Sequence, residues 1–381
     1  ANKFIATETC FPLRGVVGDV LAHLEELARE RGKDWVKENC LVFLPTTSGP
    51  CRFGKYGEVL KMFLAQLGYE GLPVLGPSSD SGYLDFEVPA PLKGFFKQSR
   101  ALIQVFNAIK MNDMLDDLVR RFRPYCRDKA AFDRLYEKEI VELERLIEEK
   151  GASVGTLKEW SRKASRRFAA LTTDAHERFP LVLYVGEIYT RQHDPYANNV
   201  IRRLEEEGLE VIRGSISEWI EYVNYTTYRE NPHWIHKVAD LYLSFADWRF
   251  HRLFGGTNGE RKVLPKPEQI IEGVEAAGIY HGDITGESPL VIGIFRELME
   301  GRLPSKNGAK VCGIFHVGPF TCMQEGVAMA KMDAMLKGAQ KKNPNLMVPV
   351  IHAFFGDSAN PNLEAEIAAF REQCYLKARL V

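Results

Sequence analysis

Six short apolar runs, each closed by glycine or proline, constrain this chain more than any other feature. They are Leu41–Leu44 before Pro45, Leu72–Leu75 before Gly76-Pro77, Leu181–Val185 before Gly186, and Leu209–Ile212 before Arg213-Gly214. The last two are Val311–Phe315, leading to Gly318-Pro319, and Val348–Phe355 before Gly356-Asp357. Runs of this length suit strands buried on both faces of a parallel sheet. Amphipathic helices stand between them. Residues 16–31 put Val16, Val20, Leu21, Leu24 and Leu27 on one side, and residues 130–150 gather Phe132, Leu135, Ile140, Leu143 and Ile147 before a stop at Gly151. Asp194-Pro195 is expected to start a helix carrying Val200, Ile201 and Leu204, stopped by Gly208. Such alternation predicts an α/β fold with doubly wound parallel sheets. Residues 95–178 show helical pattern and no strand, so they are read as a helical connector between strand-bearing halves at 1–94 and 179–381.

The chain is long enough, at 381 residues, to divide into such parts. Its 50 basic and 51 acidic side chains balance, which argues against a nucleic-acid binder needing a basic excess. No uninterrupted run of about 18 apolar residues predicts a membrane span. The first ten residues lack an apolar signal segment, so the expected location is cytoplasmic. Seven cysteines are too few for a disulfide scaffold; in a reducing compartment they are core residues, nucleophiles or metal ligands.

Several familiar motifs are missing. There is no phosphate-binding G-x-x-x-x-G-K-[ST] loop, no dinucleotide G-x-G-x-x-G, no G-x-S-x-G and no Cys-x-x-Cys. The glycine-rich 255–259 stretch does not follow a strand. His233 and His236 read as two helix-surface histidines. The basic segment Arg120-Arg121-Phe122-Arg123-Pro124-Tyr125-Cys126-Arg127 reads as a solvated helix end and a secondary candidate for anion docking.

The cysteines separate by position. Cys312 lies inside a strand and Cys374 in the last helix, both as small buried hydrophobes. Cys40 precedes a strand at its amino end, the wrong edge for a ligand site, and Cys126 reads as an inert thiol among arginines. Cys10, Cys51 and Cys322 differ, for each sits in a Gly/Pro-shaped loop at the carboxyl edge of a sheet or ahead of a helix. Helix amino ends favour thiolates. Three such thiols converging from separate loops suit an iron–sulfur cluster with one open site, although their spacing matches no compact ligand pattern. Spacing alone leaves three buried loop cysteines as the simpler reading.

The surroundings of these cysteines carry a resemblance. Glu8-Thr9-Cys10-Phe11-Pro12-Leu13-Arg14 and Gly49-Pro50-Cys51-Arg52-Phe53-Gly54-Lys55-Tyr56 resemble the cysteine loops of the 2-hydroxyacyl-CoA dehydratase superfamily. So do Val185-Gly186-Glu187-Ile188-Tyr189-Thr190-Arg191 with Asp194-Pro195-Tyr196-Ala197-Asn198, and Gly318-Pro319-Phe320-Thr321-Cys322-Met323. The nearest branch is the carboxyl-terminal part of CoA-substrate-specific enzyme activases, related to double-cubane cluster proteins. Arg14 stands where Lys is common in that branch, and Thr321 where a small residue such as Gly is usual.

The resemblance implies two Rossmann-like subdomains with the cluster between them, Cys10 and Cys51 on the first and Cys322 on the second. It implies a [4Fe-4S] unit on Cys10, Cys51 and Cys322, or a bridged [8Fe-9S] double cubane. A double cubane takes six thiolates, so a homodimer or a related second subunit would complete it. It implies an ATP-hydrolysing activase partner with its own iron–sulfur cluster, which fits the missing phosphate loop. The expected activity is low-potential reduction of an acyl-CoA or a small unsaturated molecule. Two alternatives stay open: a non-catalytic iron–sulfur electron-transfer module working with an activase, and a metal-free α/β binding protein. Glu187, Arg191 and Asn198 could line the site or serve in capping and surface pairing, and His316 and His352 read as core or supporting residues.

Overall fold

The computed structural model describes residues 5, 9–47, 49–81, 83, 95–172, 178–254, 264–304, 309–356, 358 and 360–380. Glu8, Ser48, Asp357 and the 255–259 glycines lie outside them. The chain begins with α1 (Phe11–Arg31), α2 (Lys33–Asn39), β1 (Val42–Phe43), α3 (Tyr56–Gln66) and β2 (Val74–Leu75). Three helices follow, α4 (Phe95–Phe122), α5 (Lys129–Lys150) and α6 (Val154–Ala170). Next come β3 (Leu181–Gly186), α7 (Ile188–Gln192), α8 (Val200–Glu206), β4 (Glu210–Arg213), α9 (Ile216–Glu230) and α10 (Trp234–Phe254). The chain continues through α11 (Pro267–Ala276), α12 (Ser288–Met299), β5 (Val311–Pro319), α13 (Met323–Lys342), β6 (Val350–Phe355) and α14 (Leu363–Leu380).

The fold is α/β and both sheets are wholly parallel, a two-stranded β1-β2 and a four-stranded β4-β3-β5-β6. All six apolar runs contribute a strand. The four-stranded sheet is buried on both faces, as its unbroken apolar sequence requires. Leu181, Leu183, Val185 and Ile314 pack on one side with Ile271, Ile292 and Phe295 of α11 and α12. Val182, Tyr184, Phe315 and Val317 pack on the other with Leu204, Ile367 and Phe370 of α8 and α14. The N-terminal sheet has its own core of Leu13, Val17, Val42, Tyr56, Leu60 and Leu64. A fourth core joins α4, α5 and α6, and Leu243, Ala246 and Phe250 of α10 belong to it, so helical packing is not confined to 95–178. Among the described residues no helix is long and apolar enough to cross a membrane.

Several expectations shift. α1 starts at Phe11 rather than at 16, because Pro12 suits a first turn whose N–H groups have no partner anyway. The helix after Asp194-Pro195 begins only at Val200; Asn198 and Asn199, both at φ 55°, make a left-handed turn, and Asp194 Oδ1 accepts from Ile201 N across it. His236 is buried on α10 with Nδ1 3.1 Å from Asn224 Oδ1, not on a helix surface. The basic segment is not a solvated docking patch. Arg120 and Arg123 are buried, Arg120 against Asp116, and Arg123 bridging Asp133 (2.9 Å) and Glu205 (2.5 Å). Burial demands that these cations be paired, and the pairing ties the helical core to α8.

Gly186 ends β3 at φ 131°, and a Cβ there would lie 1.8 Å from the Val317 carbonyl oxygen. Neither backbone can yield without breaking the β3–β5 ladder. Gly186→Ala is therefore expected to cost about 3 kcal/mol or more, read as a lowered midpoint in urea unfolding followed by circular dichroism.

Candidate metal centre

The strand order β4-β3-β5-β6 reverses direction at β3, with β4 laid on one side and β5 on the other. In open α/β sheets ligands bind beyond the carboxyl ends of the strands at such a switch point. Glu187 directly follows β3 there, and Cys322 follows β5 by three residues.

Cys10, Cys51 and Cys322 share one local structure. Each is the residue that caps a helical segment: Cys10 for α1, Cys51 for the 3-10 turn Arg52–Lys55 that runs into α3, and Cys322 for α13. Their carbonyls accept the first helical bonds, from Leu13 N (3.0 Å), Gly54 N (3.3 Å) and Gly326 N (3.0 Å). None of the three has helical backbone: Cys51 and Cys322 are extended, and Cys10 sits at φ −45°, ψ 115°.

The three thiols also share one electrostatic neighbourhood. Glu187 pushes up the pKa of each, Glu287 pushes up Cys51 and Cys322, and Cys10 acts on Cys51. Burial is the largest influence on all three. It lifts Cys51 to about 11, although this cysteine lies at the solvent-exposed rim, and raises Cys10 and Cys322 as well. The helix amino ends therefore do not produce free thiolates here. Backbone N–H groups of Leu13, Phe53 and Glu325 act the other way but lose to desolvation and carboxylate repulsion. Near neutral pH such thiols need a cation to ionise.

Neighbouring groups hold the loops together. Cys10 Sγ is 2.8 Å from the hydroxyl of buried Tyr56. Arg52, next to Cys51, donates to Thr321 O at 3.0 Å, next to Cys322. Thr321 sits at φ 71°, a conformation that glycine adopts freely and threonine does not. Phe11 also stacks on Tyr196, with ring centroids 4.1 Å apart, joining the Cys10 helix to the sheet unit.

Of the other expected residues, Glu187 caps α7, accepting from Tyr189 N, Thr190 N and Thr190 Oγ1 at 3.0, 2.8 and 2.7 Å, and stays on the thiol site. Arg191 is buried with no hydrogen bond to Nε or Nη2, and its charge acts on Glu287. Asn198 shapes the turn before α8. Cys126, Cys312 and Cys374 are buried away in the packing cores, and Cys40 belongs to the N-terminal one.

Sequence reasoning passed over Glu287, Glu325 and Tyr56. Glu287 is buried, its pKa raised well above the ordinary range by desolvation and by Glu187 and Glu325, so its protonated form is favoured. Glu325 stands three positions after a helix-capping residue, a capping-box spacing that could have drawn notice. A cavity of about 660 Å³ opens beside the site, lined by Pro50 and Met323, the neighbours of two of the thiols, and by Ile279, Tyr280, Ile284 and Val327. Lys331 and His281 also line it.

Among the described residues one trio of potential ligands, Glu275, His281 and Asp283, falls within 4.8 Å. Arg229 already pairs with both carboxylates, at 2.6 and 3.2 Å, and takes the place a cation would fill. No protein-family model, curated protein or solved structure matches the chain.

In the metal-free protein Cys51, the exposed member, is expected to react first with iodoacetamide. Its rate should climb about tenfold per pH unit at least to about pH 10, following thiolate formation. Peptide mass spectrometry of timed samples reads this, and a plateau below pH 9 would contradict the raised pKa.

Proposed function

We propose that the protein is the iron–sulfur component of a low-potential reductase of the 2-hydroxyacyl-CoA dehydratase kind. The observation that carries the reading is the convergence of Cys10, Cys51 and Cys322, each at a helix start, around Glu187 at the switch point of the sheet. Their separation bears on what they would hold. The three sulfurs do not all lie within 4.8 Å of one another. A single tetrahedral zinc, with Zn–S bonds of about 2.3 Å, would draw its thiolates to about 4 Å apart. A [4Fe-4S] unit takes each thiolate on a different iron and does not require the three sulfurs to share one tetrahedron.

On this reading Cys10, Cys51 and Cys322 are the cluster ligands, and the two parallel sheets are the cores of two Rossmann-like subdomains. The bound cluster supplies an electron of low potential. The chain itself does the rest. Tyr56 fixes the Cys10 thiol, and the Arg52–Thr321 bond holds the second and third cysteine loops in register. Glu287, favoured in its protonated form, offers a proton beside the site. The cavity between the Cys51 and Cys322 loops has the size of a small-molecule site and a largely apolar wall. Its place beside two of the ligand loops favours substrate reduction, of an acyl-CoA or a small unsaturated molecule, over a purely electron-carrying module. On the same reading ATP hydrolysis is the work of a separate activase, a division of labour that the missing phosphate loop fits.

Three thiolates are half of what a double cubane takes, and the chain has a surface on which a second copy could pack. Trp234, Val238, Leu241, Phe245 and Trp248 recur at alternate spacings of four and three along α10, and all five are exposed. This is the seam of a helix that packs against another helix. Wild-type protein is expected to sediment as a dimer, and Leu241→Glu with Phe245→Glu as a monomer of unchanged circular dichroism.

Anaerobic purification should yield about four irons and four sulfides per chain. Cys51→Ala and Cys322→Ala should lose them while Cys40→Ser and Cys312→Ala keep them. A folded wild-type protein without iron would sink this function.

A further inference from the structure

β5 and β6 run parallel, and their register sets His316 beside His352. The rings meet edge to face with Nδ1 2.7 Å from Nδ1. Inward, His316 Nε2 lies 2.5 Å from Glu325 Oε2. Outward, His352 Nε2 lies 3.4 Å from Asp333 Oδ1 on α13, a long ionic contact outside good hydrogen-bond geometry through which Asp333 still pulls the ring's pKa upward against burial. Side-chain exposure falls along this line from 45% at Asp333 to 13% at His352 and 0% at His316 and Glu325.

The hydrogen bonds fix a direction. If the Glu325 carboxylate accepts from His316 Nε2–H, then neutral His316 must accept at Nδ1, and His352 must donate from Nδ1–H. That leaves His352 Nε2 bare, facing a carboxylate that has no proton to give, which accounts for the missing bond. His352 is the member held neutral, its pKa pushed down to about 4 by burial and by His316. At the inner end Glu325 Oε1 is buried and equally without a partner, and Glu325 acts electrostatically on Glu187 and Glu287. A purely structural histidine pair would be expected to have its ends satisfied. Here the chain of bonds stops at an empty acceptor on the solvent side and another on the chamber side.

We propose that Asp333, His352, His316 and Glu325 conduct protons from solvent to the thiol chamber. A proton from water, held near the Asp333 carboxylate, binds His352 Nε2. His352 passes its Nδ1 proton to His316 Nδ1, and His316 passes its Nε2 proton to Glu325 Oε2. One proton enters, one is left on the Glu325 carboxyl group, and no electron moves. A reduction beside the thiols consumes protons, and a fixed line of acceptors can deliver them to the buried Glu325 side of the site. The purpose of the path rests on the reductase reading, but the conduction does not.

The test therefore starts on metal-free full-length protein labelled with ¹⁵N-histidine. Solvent exchange of the His316 ring proton is measured by NMR in the wild type, His352→Phe and Asp333→Asn. Blocking the outer ring should slow exchange about tenfold or more, and removing the surface carboxylate should slow it by a smaller factor. In His352→Ala, added free imidazole should restore it. Unchanged exchange in a folded His352→Phe would overturn the path. Should that variant fail to fold, His352→Gln and the surface change Asp333→Asn carry the same measurement, with the same two outcomes. In iron-loaded protein, His352→Phe should retain wild-type iron and sulfide but show an enlarged solvent isotope effect on single-turnover reduction. Absence of iron in the wild type would refute the reductase reading and leave the exchange result standing.

Discussion

Burial of the four-stranded sheet on both faces is the constraint from which the rest follows. A parallel strand with apolar residues at every position has no face to give to solvent. Helices must cover both sides, and the crossovers that bring them there force the connecting loops onto the two edges of the sheet. At the carboxyl edge the order β4-β3-β5-β6 separates the loops after β3 and β5 to opposite helical layers. The gap between them receives Glu187 and Cys322. Gly186 lets β3 turn away at the one point where its backbone nearly touches β5. The N-terminal unit then needs only to be set against this edge for its own cysteines to arrive.

What sets it there is a small group of contacts that also sit next to the chemistry. Arg52 reaches Thr321, Phe11 stacks on Tyr196, and Tyr189 donates to Asp19 at 3.4 Å. Each crosses the junction with at least one end within two residues of a site cysteine or of Glu187. The positive φ of Thr321 belongs to the same arrangement: a β-branched residue in that conformation is strained, and strain of this kind persists where surrounding bonds over-determine it. The Arg52 guanidinium on the Thr321 carbonyl is such a bond. The contacts that set the N-terminal helices and sheet against this edge are thus also the contacts that position the site.

Much of this was legible in the chain. The six apolar runs all became strands, and Cys10, Cys51 and Cys322 stand at helix starts within the electrostatic reach of Glu187 while Cys126, Cys312 and Cys374 went into cores. The misreadings have one physical origin, the use of local punctuation without knowledge of what lies across from it. The helix read from 16 begins at Phe11, with Pro12 in its first turn, so Cys10 caps it directly instead of standing some residues ahead of it. Gly318-Pro319 reads as the end of a strand but stays paired with Phe354 and Phe355, extending β5 past His316. Arg120 and Arg123 read as a solvated basic patch, although Asp116 stands one turn before Arg120 on α4; the partners of Arg123, Asp133 and Glu205, arrive from α5 and α8. Glu287 and Glu325 carry no local mark of burial at all. Their environment exists only once α12 and α13 are packed against the sheet.

The carboxylates change what the thiols can be. Three cysteines at helix starts would, in isolation, be primed as nucleophiles. Set among Glu187, Glu287 and Glu325 in a partly desolvated chamber, they are instead held protonated, and Cys51 reaches about 11. A chamber of this kind resists adventitious alkylation and oxidation, because both proceed through the thiolate. It ionises when a cation enters and compensates the repulsion, releasing protons as ligand bonds form. The same repulsion keeps Glu287 in its acid form. Ligand site and proton source are thereby set by one balance of charges: whatever binds the thiols meets Glu287 already holding a proton, with Glu325, His316 and His352 leading from the site to the surface.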